Sequence, residues 1–85
     1  DLEGIEKIFD IHSRNMKLGK INKKSLFASM EGFSGAEIKA VCTEAGYFAI
    51  RANRFKLSHK DFEQAVIKVK QEEEEEGADY MNMFG

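Results

Sequence analysis

Residues 34–53 read SGAEIKAVCTEAGYFAIRAN, and this stretch decides the fold. Ser34 and Glu37 stand three positions apart, which is the spacing of a capping box, where each side chain bonds the other residue's backbone N–H. Apolar residues then recur at helical spacing, at Ile38, Val41, Cys42, Ala45, Phe48, Ala49 and Ala52. The stretch therefore predicts an amphipathic helix that begins after Ser34 and buries one face.

Three further helices are predicted around this one, so the fold class is all-α with four helices. The first runs from about Leu2 to Met16, and a short second helix follows Asn22. The fourth begins at a second capping box, formed by Ser58 and Asp61. Residues 55–57 alternate in polarity and predict a very short strand that pairs near residues 20–21.

Charge divides the chain into two parts. Residues 1–71 hold all 13 Lys and Arg residues and only nine of the 15 acids, whereas residues 72–85 hold six acids and no base. Because like charges repel, the second part is expected to be extended and flexible. We therefore predict one helical domain at 1–71 and an acidic, flexible tail at 72–85.

Composition and motifs argue against several kinds of function. Cys42 is the only cysteine, which excludes an internal disulfide and a cysteine-rich zinc site and favours a reducing compartment. No apolar run reaches the ~20 residues of a membrane span, and the lysines are scattered rather than clustered as in nucleic-acid binders. The sequence has no phosphate loop and no metal-spaced histidine set. We predict no catalytic residue, no metal ligand, no membrane and no nucleic acid.

Two places remain as candidate sites. Gly35 and Ala36 open the third helix, where unpaired N–H groups can receive a ligand, and His12 lies on the first helix. The alternative is that Gly35 serves only the turn and that His12 is a core residue. The other candidate is the end of the chain, residues 81–85, whose apolar side chains are either a docking tag or a remainder without a role.

Two separated motifs resemble a known family. Residues 9–16 (FDIHSRNM) and residues 31–46 (EGFSGAEIKAVCTEAG) are similar, in this order, to the lid domain of AAA+ ATPases. The similarity extends over roughly residues 1–70 and is greatest to the proteasomal branch, which includes the archaeal proteasome-activating nucleotidases. A Cdc48-like or FtsH-like AAA+ protein is the alternative within the family. An independent helical interaction module is the alternative outside it.

The resemblance implies a nucleotide site. In this family a four-helix lid follows a larger nucleotide-binding domain, and the two clasp ATP or ADP between them. The residues matching the adenine and ribose contacts are His12, Gly35 and Ala36, with Ile8 packing near the base. Mg²⁺ belongs to the large domain in the family. The chain is accordingly not an enzyme by itself but part of an ATP-hydrolysing enzyme.

The resemblance also implies partners. Lids of this branch move with nucleotide hydrolysis and pack on neighbouring subunits of a hexameric ring in a cytoplasmic unfoldase, a chaperone of protein degradation. Family members often end in a hydrophobic residue, Tyr and any residue, a motif that docks on the proteasome core particle and opens its gate. Met83, Phe84 and Gly85 resemble this motif, with Phe in place of Tyr.

Overall fold

The structure is a computed structural model that describes the backbone of residues 1–84 and the side chains of residues 1–74. Four helices are present in the described backbone, and the prediction of an all-α domain is confirmed. Their bounds are α1 Leu2–Ser13, α2 Lys23–Ser29, α3 Gly35–Arg51 and α4 His59–Phe84. None of the described helices is long and apolar enough to span a membrane.

Local capping explains where the helices begin. The Asp1 carboxylate accepts from the Gly4 N–H at 2.7 Å, and the Asn22 side chain accepts from the Ser25 N–H at 3.2 Å. These contacts satisfy N–H groups that have no partner inside the helix. The capping boxes predicted before α3 and α4 are both formed.

The core lies where α1, α2 and α4 meet through their aromatic residues. Phe9 is fully buried, and its ring centre is 5.2 Å from that of Phe27 and 5.3 Å from that of Phe62. The buried face of α3 closes the core with Ile38, Val41, Cys42, Ala45 and Ala49. The apolar spacing of the sequence predicted these five residues, but of the other two in that stripe Phe48 is only half-buried and Ala52 is exposed.

Helix α4 runs antiparallel to α3 and lies along its whole length. Arg54, just after α3, pairs with Asp61 at the start of α4. Farther along, the Lys68 ammonium group is 2.7 Å from the Glu44 carboxylate. The beginning of α3 is therefore adjacent to the distal part of α4.

The predicted strand pair is replaced by a single backbone bridge. Leu18 and Leu57 form an isolated parallel bridge, in which the Leu57 N–H donates to the Lys17 carbonyl and the Gly19 N–H donates to the Leu57 carbonyl, both at 2.9 Å. The register predicted near residues 20–21 was wrong. α1 also ends at Ser13 rather than Met16, and in the turn that follows the Met16 N–H donates to the Ser13 carbonyl at 3.0 Å.

The acidic segment does not begin as the sequence predicted. Residues 72–74 continue α4 rather than forming an extended chain, and the helical backbone reaches Phe84. Glutamate is a good helix former, and no glycine or proline intervenes before Gly77. A Lys68–Glu72 ion pair of 4.0 Å supports the helix one turn apart. The prediction of an extended tail is therefore corrected at residues 72–74.

Gly46 gives a test of local helix stability. It lies inside α3, and a Cβ at this position would be 4.0 Å from the Met16 Cε atom, which is an ordinary contact. We expect Gly46→Ala to raise the free energy of unfolding by about 0.5–1 kcal/mol, because alanine loses less backbone entropy in a helix. Chemical denaturation measures the change.

The control for this substitution is Gly32→Ala. Gly32 has a φ of +86°, which an L side chain rarely adopts, so alanine there should lower stability by about 1 kcal/mol or more. A loss of stability in Gly46→Ala would show that the Met16 contact is tighter than the structure indicates.

Candidate functional site

The start of α3 offers free backbone donors. The Ser34 N–H donates to Glu37 Oε1 at 2.7 Å, and the Glu37 N–H donates to Ser34 Oγ at 3.2 Å. This box leaves the N–H groups of Gly35 and Ala36 without a hydrogen bond among the described residues. Both groups point out of a helix start with partial positive charge, so they suit a ligand that accepts hydrogen bonds.

Ile8 of α1 lies against Gly35. A Cβ at position 35 would be 3.8 Å from Ile8 Cδ1, which places the isoleucine side chain beside the bare backbone of the helix start. Ile8 is only half-buried and packs against the edge of the core. The structure therefore brings together an apolar side chain and an uncovered backbone segment from two distant parts of the chain.

His12 lies one turn beyond Ile8 on α1. Residues four apart share a face of a helix, so His12 projects on the same side of α1 as Ile8. Its side chain is half-buried, and within residues 1–74 its ring makes no hydrogen bond. No buried side-chain nitrogen or oxygen among the described residues lacks a hydrogen-bond partner, so the ring nitrogens of His12 face solvent. The ring nitrogens are therefore available to a group from outside the described chain.

Two acidic residues of α4 lie near the start of α3. Glu37 and Ser34 line a cleft with Val69, Glu72 and Glu73 of α4. A hydrogen bond with the Glu73 carboxyl and the bond from the Ser34 backbone hold the pKa of Glu37 below its usual range. Sequence reasoning missed this neighbourhood, because it depends on α4 continuing beyond Gln71.

The remaining reactive side chains serve the structure. Cys42 is buried in the core, and burial raises the pKa of its thiol to about 11, so the thiol stays protonated at neutral pH. Nδ1 of His59 accepts from the Asn22 N–H at 3.3 Å and links α4 to the start of α2. Among the described residues, no group of three or more His, Cys, Asp or Glu side chains is arranged to hold a metal ion.

The predicted docking residues cannot be placed in the same way. Met83, Phe84 and Gly85 lie outside the residues whose side chains the structure describes. Their role remains a prediction from the sequence.

Comparison with known proteins gives a family match and several relatives. Residues 24–64 match the AAA+ lid domain family, and this range contains Gly35 and Ala36. The chain is 51% identical over 70 residues to 26S proteasome regulatory subunit 8 of Dictyostelium discoideum, covering 81% of the chain and 17% of the relative.

Two archaeal relatives extend the match. The chain is 53% identical over 68 residues to the proteasome-activating nucleotidase of Archaeoglobus fulgidus, covering 79% of the chain and 17% of the relative. It is 42% identical over 88 residues to that of Methanococcus vannielii, covering 100% of the chain and 22% of the relative. The chain thus spans about a fifth of the length of these relatives.

Proposed function

The chain carries a AAA+ lid domain similar to those of proteasomal ATPases, and from this premise we propose that it is the lid of an ATP-dependent, proteasome-activating unfoldase. The family resemblance predicted from the sequence is confirmed. The lid would contribute one wall of a nucleotide site and transmit nucleotide-driven motion to the rest of a ring.

The observation that carries this proposal is the contact of Ile8 with Gly35 beside the free N–H groups of α3. Adenine is flat and largely apolar, so it suits an isoleucine side chain and a glycine backbone that lets the ring approach closely. The N–H groups of Gly35 and Ala36 suit acceptor atoms of the nucleotide. His12, without a partner among residues 1–74, suits a ribose hydroxyl.

Hydrolysis of ATP to ADP would drive the enzyme, and the lid residues would only bind and orient the nucleoside end of either nucleotide. In this proposal the phosphate loop and the Mg²⁺ site belong to a large nucleotide-binding domain of the same protein. The lid alone would hydrolyse no ATP. Its other partners would be neighbouring subunits of a hexameric ring and the proteasome core particle, in the cytoplasm.

The test is substitution of His12 in the full-length ATPase. We expect His12→Ala to weaken ADP binding about tenfold, because the nucleotide loses a hydrogen bond in a water-poor site and the surrounding apolar contact is opened. Displacement of a fluorescent ADP analogue measures the affinity. The half-buried ring contributes little to the core, so the unfolding temperature should change little.

The matched control is Ile11→Ala, which changes the adjacent residue on α1. Ile11 is 53% exposed and is not part of the apolar core, so its removal should leave ADP affinity unchanged. Equal affinity of wild type and His12→Ala would remove the nucleotide role of His12. A full-length protein without a phosphate loop would favour the independent helical interaction module.

A further inference from the structure

The end of α3 and the loop after it carry an exposed apolar surface. Phe55 is 93% exposed, Ile50 is 68% exposed and Tyr47 is 52% exposed. Ile50 and Phe55 line the same cleft, and Tyr47 lies one turn before Ile50 on α3. We refer to Tyr47, Ile50 and Phe55 as the Phe55 surface. Large apolar side chains grouped in this way mark interaction surfaces.

The loop that presents Phe55 is fixed on both sides. Asn53 has a φ of +56°, and the following Arg54 N–H donates to the carbonyl of Ala49 in α3 at 3.0 Å. On the other side, Leu57 makes two backbone hydrogen bonds of 2.9 Å to the chain after α1. Phe55 is thus held away from the core by an ordered backbone, so burying it in an interface requires little further ordering.

Positive charge surrounds the Phe55 surface. Residues 45–60 contain four Lys or Arg residues and no Asp or Glu. Arg54 is neutralised by Asp61, whereas Arg51, Lys56 and Lys60 are exposed. The complementary partner is therefore a protein segment that combines apolar side chains with carboxylates. A nucleic acid is the poorer match, because the exposed area is largely aliphatic and phenyl rather than cationic.

The chain itself contains a segment of this chemistry. Residues 72–85 have six acids and no base, and the acids are followed by Tyr80, Met81, Met83 and Phe84. Because α4 is antiparallel to α3, it carries this segment away from the Phe55 surface of the same chain. Glu73 contacts Glu37 near the start of α3, whereas Ile50 lies about 20 Å farther along that helix. The Phe55 surface of a second copy is not held at this distance from residues 72–85 of the first.

We propose that the acidic segment of residues 72–85 in one copy docks on the Phe55 surface of a second copy. Since Glu72 and Glu73 contact Lys68 and Glu37 of their own chain, it is the later glutamates that would face Arg51, Lys56 and Lys60 in the proposed contact, and the apolar side chains after them would cover Ile50 and Phe55. Since the two copies use different surfaces, the contact is head-to-tail and each copy can give and receive a segment. This inference is independent of the nucleotide site. It also implies that the end of the chain, when docked on a neighbour, is unavailable to any other partner.

The test uses a synthetic peptide of residues 71–85 and the isotope-labelled 85-residue chain. NMR titration should shift the backbone amides of residues 47–57, and raising the salt from about 0.05 M to about 0.5 M should weaken binding several-fold. Phe55→Asp in the labelled chain should lower the affinity about tenfold, through loss of the central apolar contact and addition of a repelling charge. A peptide with its five glutamates replaced by glutamine should bind as weakly.

Ile67→Asp is the matched control. Ile67 is 55% exposed on α4, outside the Phe55 surface, so this variant should bind the peptide as wild type does. The unfolding temperature of Phe55→Asp should equal that of wild type, because the ring makes almost no contact in the folded chain. The proposal is overturned if the peptide at about 1 mM shifts no amide in residues 47–57. An equal loss of affinity in Ile67→Asp would also overturn it, as would binding of single-stranded oligothymidylate to this surface in place of the peptide.

Discussion

Removing Met83, Phe84 and Gly85 from the full-length ATPase should reduce its stimulation of proteasome peptide hydrolysis at least about tenfold. In the proposed function these residues dock on the core particle, with the aromatic ring of Phe84 as the main contact. Several tails on one ring reinforce one another through effective concentration. Loss of every tail therefore removes far more binding than loss of one weak contact. Hydrolysis of a fluorogenic peptide by the purified core particle measures the effect.

Phe84→Tyr is the companion substitution. The motif that the family resemblance implies has a Tyr hydroxyl that Phe84 lacks, so this variant should stimulate the core particle at least as strongly as wild type. ATP hydrolysis by the tail-deleted ring should persist, because the proposed nucleotide site lies at the start of α3. Unchanged stimulation after deletion would exclude docking through this terminus. It would favour another AAA+ branch and leave the lid assignment intact.

Asp61→Ala should lower the free energy of unfolding of the 85-residue chain by about 3 kcal/mol. The Asp61 side chain is 4% exposed and receives both guanidinium nitrogens of Arg54, each at 2.7 Å. It also accepts from the Ser58 N–H at 2.8 Å and so caps α4. Alanine removes both the partner of the Arg54 guanidinium group and the cap of the Ser58 N–H at the start of α4. Chemical denaturation followed by circular dichroism measures the loss.

Glu44→Ala is the matched control for Asp61→Ala. It removes another carboxylate that joins α3 to α4, but the Glu44–Lys68 pair is partly exposed to solvent. Pairs of this kind contribute at most about 1 kcal/mol. Equal losses in the two variants would mean that the Arg54–Asp61 pair acts only as a surface ion pair.

Acid unfolding gives a second measure of how much Asp61 contributes to stability. The hydrogen bonds from Arg54, followed by those from Ser58, lower the pKa of Asp61 to about 2. A carboxyl with a depressed pKa stabilises the fold above the pKa of the unfolded chain, about 3.9, and loses that contribution as the pH falls toward 2. Wild type should therefore lose about 2 kcal/mol more than Asp61→Asn between pH 5 and pH 2.

Much of the fold could be predicted because its determinants are local. The Ser34–Glu37 and Ser58–Asp61 boxes are each set by residues three apart, and both form as predicted. The apolar spacing of α3 likewise identified the face that is buried. Local patterns of this kind need no knowledge of the rest of the chain.

The features that the sequence predicted wrongly or missed depend on contacts between residues far apart in the sequence. The bridge between Leu18 and Leu57 joins two distant parts of the chain, and no spacing within residues 13–19 reveals it. The role of Asp61 as a partner of Arg54 also depends on the path of the loop between α3 and α4. Repulsion within the glutamate run suggested an extended chain, but helix propensity and the Lys68–Glu72 pair prevail at its beginning.

The candidate site was predictable only in part. The residues themselves gave His12 and Gly35 as one candidate place, but the role of both as nucleotide contacts came from the family resemblance, since nothing in the spacing of residues 12 and 35 requires them to lie near each other. The structure adds the contact between Ile8 and Gly35, which is a tertiary feature. Neither the sequence pattern nor the family resemblance predicted the acidic side of the cleft, where Glu37 lies next to Glu73. That side exists only because α4 extends beyond the start of α3.

The extension of α4 past the start of α3 has a mechanical consequence. Its 26 residues form a helix about 39 Å long. The helix is attached to the domain near Asp61, and its opposite end projects past the start of α3. A rotation of the domain by about 15° about the start of α3, which lies beside Glu73, would move the carboxyl end of α4 by about 4 Å, because that end is about 17 Å away. A rotation at the proposed nucleotide site would thus be carried along the helix to its carboxyl end.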